Sequence, residues 1–124
     1  MSLWRNEDIA NKLVDILRTI DYKEGHHHFG KPFLTSYQLA IEFEKRFPAV
    51  ANMLPAHSEI GGEGTGEYNS LSQYIGRQIS GHYDDMRALG IECGFLSSND
   101  LVKLEFSQNV CSSVKDVSMF RYVG

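Results

Sequence analysis

At Gly90 the spacing of apolar residues changes, and that change constrains the fold more than any other feature of the 124-residue chain. Before it, apolar side chains recur every three or four residues, the period of one helical face. After it they alternate, the period of a half-buried strand. Helices followed by strands predict an α+β domain, and the length fits a single domain over residues 1–124.

The spacing of Ile9, Leu13, Ile16, Leu17 and Ile20 predicts a first helix between Trp4 and Ile20. Asn6 is its expected cap, Glu7 and Asp8 suit its positive first turn, and Gly25 is the latest point at which it stops. A polar connector, "YKEGHHHFGKPF", follows. Thr35 and Gln38 then stand at capping-box spacing, so a second helix starts there and runs through Leu39, Ile41 and Phe43 to Phe47. Pro48 ends it and opens a short helix in "PAVANML". Ser70 and Gln73 repeat the capping-box spacing and start a third helix that reaches Met86 or Leu89, with Gly90 as terminator.

In "DLVKLEFS", Val102, Leu104 and Phe106 face one way and Lys103 and Glu105 the other, which predicts a strand over residues 100–107. "VSMFRYV" reads as a second strand and "IECGFL" as a weaker third, with turns in "SSND" and "SQNVCSS". On the second of these, Phe120 and Tyr122 share one side while Met119, Arg121 and Val123 share the other, and neither side is polar. Such a strand is central in its sheet or buried against a second subunit, which makes a homodimer the expected assembly.

Three helices followed by a small antiparallel sheet resemble, in element order, a winged helix. The resemblance implies a third helix that enters the major groove of duplex DNA. One departure stands out: the link between the second and third helices covers residues 48–69, far longer than the ~3 to 4 residues of a tight helix-turn-helix.

Charge narrows the partners. Twelve Lys and Arg against sixteen Asp and Glu give a net charge of -4, so no bulk attraction draws the chain to phosphate backbones or anionic lipid. Nucleic-acid binding must rest on a local patch. No apolar run approaches a membrane span and no export signal opens the chain, so a cytoplasmic protein without a membrane partner is expected. Cys93 and Cys111 match no zinc or redox spacing and read as small buried thiols.

Within the third helix, Leu71, Ile75, Ile79 and Met86 share one face, and Gln73, Arg77, Ser80 and Asp84 the opposite one. Glutamine pairs with adenine and arginine with guanine, so Gln73 and Arg77 are the residues a reading helix would present. Lys103 and Lys115 are the expected phosphate contacts. The alternative is an acidic protein-interaction module that uses Glu59, Glu63 and Glu67 in the glycine-rich stretch "EIGGEGTGEYNS". That stretch lacks the GK[ST] of a phosphate cradle, and its carboxylates repel anions, so it reads as an acidic loop over residues 55–69.

Catalytic and metal chemistry find little support. The His26-His28 run offers two imidazoles on one side of an extended segment, short of a zinc site's three or four ligands. His57 lies in a loop, and His82 falls on the buried side of the third helix. His82, Asp84 and Asp85 do not converge as a dyad on one helix, and Cys93 has no activating neighbour in the sequence. No cofactor and no catalytic residue is expected. A hydrolytic or metal-dependent enzyme is the third reading, and it requires one of these histidines to meet a carboxylate in a pocket.

Overall fold

The computed structural model describes residues 2–21, 23–54, 70–112 and 116–124. They form a mixed α+β fold of six helices and a three-stranded antiparallel sheet. The helices are α1 (Leu3–Asn6), α2 (Ile9–Thr19), α3 (Ser36–Arg46), α4 (Pro48–Met53), α5 (Leu71–Gly81) and α6 (Tyr83–Ala88). The strands are β1 (Leu34–Thr35), β2 (Ile91–Leu96) and β3 (Val117–Tyr122), in the spatial order β1-β3-β2.

The expected first helix is two. Asp8 adopts a left-handed backbone with φ 49°, which separates α1 from α2, and Asn6 lies inside α1 instead of capping the longer helix. The break has a tertiary counterpart. It accompanies the burial of Trp4, which stacks on His82 with ring centroids 4.7 Å apart and planes 13° from parallel. Beyond it, α2 behaves as its periodicity requires and buries Ile9, Leu13, Ile16 and Leu17. Side chains of this kind contribute roughly 1.5–3 kcal/mol each when fully buried.

Both forms of the helix-start signal occur, one complete and one half-made. At α3 the Gln38 amide N–H donates to Thr35 Oγ1 (3.2 Å) while Thr35 N–H donates to Gln38 Oε1 (2.8 Å), closing the box. At α5 the Gln73 N–H donates to Ser70 Oγ (3.2 Å), but the Gln73 side chain does not reach back. The third expected helix also divides, at His82, so that Asp84 and Asp85 belong to the first turn of α6.

Gly90 turns the chain from α6 into β2 with φ +96°. A β-carbon there would fall 2.9 Å from both the Gly124 carbonyl carbon and the Tyr122 ring, so only glycine fits both the backbone and the space. β2 and β3 then pair along their whole length, from Ile91↔Tyr122 to Leu96↔Val117. β1, which the sequence pattern does not reveal, pairs Leu34 with Phe120 and Thr35 with Met119. β3 is therefore central, which accounts for its two apolar sides, and "IECGFL" is a full strand.

The expected strand over 100–107 is absent. Among the described residues its one ladder contact is a single bridge, Glu105↔Cys111, and Val102 is 83% exposed instead of facing inward with Leu104 and Phe106. The segment folds back on α3. Leu104 and Phe106 pack on a second cluster of Tyr37, Ile41, Val110 and Val117, with Phe106 stacked on Tyr37 at 5.4 Å. Turn bonds fasten it: Phe106 N–H to Val110 O (2.7 Å), Ser112 N–H to Leu104 O (2.8 Å) and Leu104 N–H to Ser112 Oγ (2.8 Å). α3 thus has two buried faces, since Leu39, Ala40 and Phe43 enter the main core with α2, α5 and the sheet.

Candidate nucleic-acid interface

The apolar stripe Leu71, Ile75 and Ile79 is fully buried and docks α5 in the main core. Near its middle α5 passes close to the start of α3, where a β-carbon on Gly76 would stand 3.9 Å from that of Ser36. The opposite side carries Arg77 and Ser80, both exposed. Arg77 is where its helical angle predicts.

Gln73 is not. It is half-buried, and its Oε1 is enclosed without a hydrogen-bond partner, so the expected outward pairing of Gln73 with Arg77 does not hold in this arrangement. Gln73 sits in the first turn of α5, next in sequence to Ser72, whose buried hydroxyl lies 3.3 Å from that of the buried Ser70. Asp84 leaves the face that carries Arg77 as well, because the division at His82 assigns it to α6.

Lys103 is exposed on the segment that folds back on α3, not on a strand. Lys115, His57 and the three acidic positions Glu59, Glu63 and Glu67 lie outside the described residues.

Between α5, α6 and the β2–β3 hairpin runs an open groove of about 530 Å³, lined by Ile79, Ser80, Tyr83, Cys93, Phe95 and Ser118 among others. Burial pushes the Cys93 thiol up; the Arg87 charge pulls it back and the Glu92 carboxylate adds to the rise. Arg87 is a neighbour the sequence spacing does not predict, and burial outweighs its pull. Both cysteines are free and half-buried.

His82 is half-buried and committed to the fold: its ring stacks on Trp4, and its Nδ1 lies 2.8 Å from the Gln78 carbonyl. Among the described residues, no group of three or more His, Cys, Asp or Glu side chains could hold a metal ion. Among them, too, no helix is long and apolar enough to cross a membrane. Compared with known proteins, the chain matches no family model, no curated protein and no solved structure.

Proposed function

We propose that this domain binds duplex DNA as a winged-helix-like module, with α5 in the major groove and Arg77 contacting a base edge. The observation that carries the reading is the docking of α5. One face is sealed into the core against α3 and the other presents an arginine and a small hydroxyl, the composition of a reading helix. The sheet supports it further. A short strand, β1, between α2 and α3 pairs with β3, which pairs in turn with the β2 that follows α6, and this small antiparallel sheet supports the winged-helix-like reading.

With a net charge of -4, affinity rests on a few local cations, Lys103 and Lys115 being the phosphate contacts of this proposal. The salt dependence is correspondingly shallow, since each phosphate contact adds only about -0.9 to the slope of log affinity against log salt.

The test is anisotropy of a mixed-sequence duplex at low and physiological salt. Arg77→Ala is expected to weaken binding by about tenfold, the lower range for a lost bidentate base contact. Gln73→Ala is expected to change it less, because its amide oxygen is enclosed. Duplex affinity and salt slope unchanged in Arg77→Ala would overturn the assignment.

A further inference from the structure

The connector "HHHFGKPF" and the end of β3 meet in space, although they are some ninety residues apart in the chain, and together they build a site on the far side of the sheet. Phe29 is 75% exposed, an unusual position for phenylalanine, yet its backbone is held at both ends. Its N–H donates to His27 Nδ1 (3.0 Å), and its carbonyl accepts from Arg121 Nη1 (2.9 Å). The His28 ring lies edge-on at 4.5 Å, and Gly30, at φ +100°, closes a turn by donating its N–H to the His27 carbonyl (2.9 Å).

Arg121 is the centre of the arrangement. Its guanidinium covers the Phe33 ring at 4.6 Å and its Nε donates to Glu92 (2.8 Å). Its Nη2 has no partner among the described residues. Two clefts of about 280 and 320 Å³ adjoin here and share Phe29, Gly30, Lys31 and Arg121 as lining. Together they reach the size of ordinary small-ligand clefts, roughly 300–1,000 Å³.

We propose that this double cleft binds a nucleotide unit, an aromatic base joined to a phosphate, either as a free nucleotide or as part of a single strand. The base stacks on the presented face of Phe29, and the phosphate meets Lys31 and the Nη2 edge of Arg121. Asp21 at 3.3 Å from Lys31 and Glu92 beside Arg121 already offset part of the positive charge. A bare anion is therefore held weakly, and stacking supplies the remainder. A paired base hides its faces in the duplex, which separates this site from the proposed duplex contact through Arg77, on which it does not depend.

The experiment is anisotropy of a short fluorescein-labelled oligothymidylate at low and physiological salt, on wild type, Phe29→Ala, Phe29→Trp, Lys31→Glu and Arg77→Ala. Phe29 is exposed, so its replacement leaves the fold intact and isolates the stack. The site is supported if wild type and Arg77→Ala bind alike, Phe29→Trp binds at least as well, and Phe29→Ala and Lys31→Glu each lose about tenfold. Displacement by adenosine monophosphate assigns the site to free nucleotides, and resistance to it assigns the site to a strand. The proposal is overturned if wild type does not bind at low salt or if Phe29→Ala binds like wild type. Equal competition by a phosphoserine peptide without aromatic residues would overturn it too, since phosphate alone would then suffice.

Discussion

α2 and the segment 101–107 carry comparably regular apolar patterns, and they meet different fates. In α2 the period of three and four becomes a helix whose apolar face is wholly buried. In 101–107 the alternation becomes no strand: Leu104 and Phe106 pack on Tyr37 and Ile41 of α3 while Val102 stays in solvent. A helix closes its hydrogen bonds within itself, so an apolar face is enough to place it. A strand needs a neighbour for its backbone, and among the described residues 101–107 pairs with none of β1, β2 and β3. The chain instead turns back on itself at the left-handed residues Gln108 and Asn109, and 104–106 bond to 110–112.

The sharpest way to break this comparison is to remove equal apolar groups from the two regions. Leu13→Ala, at a completely buried site in α2, is expected to cost about 2–5 kcal/mol in urea unfolding. A loss near zero would mean that α2 is not part of the main core. Gly90 stands between the two regions, where the helical period ends. Gly90→Ala is expected to cost about 1–3 kcal/mol, because φ +96° and the 2.9 Å approaches leave a β-carbon no relaxed position.

Phe106→Ala should cost less, about 1 kcal/mol, from the stack on Tyr37 and a half-buried ring. Its amide-exchange signature sharpens the contrast: the α2 amides should remain protected while those of 101–107 exchange faster. Protection of both to the same degree would argue for a strand-like ladder that the described residues lack. Smallest of all is Val102→Thr, expected within about 0.5 kcal/mol of wild type. A loss well above that would place Val102 in a core, as its alternation with Leu104 suggests and its exposure denies.

The proposed interface shows the same division between local and distant causes. Arg77 was legible because a helix angle alone puts it opposite Leu71, Ile75 and Ile79. Gln73 was placed outward by the same arithmetic, but its Oε1 is enclosed, and a helix angle holds no information about what packs over a first turn. The proposed site at Phe29 and Arg121 had only a faint signal in the sequence, an aromatic residue beside three histidines. Its other half arrives on β3, and no spacing rule connects the two.

By itself the sequence determined the elements whose causes are local: the box at Thr35 and Gln38, the start of α5 at Ser70, proline at the head of α4, the turn at Gly90, and the buried stripe of α2. Tertiary structure alone decided the break at Asp8, the division at His82, the two-residue β1 and the folding back of 101–107. Each of these answers to a partner far along the chain. Trp4 finds His82, Leu34 finds Phe120, and Phe106 finds Tyr37. Periodicity and capping describe how a segment satisfies its own backbone and orients its own face; they hold no information about which distant surface will cover it.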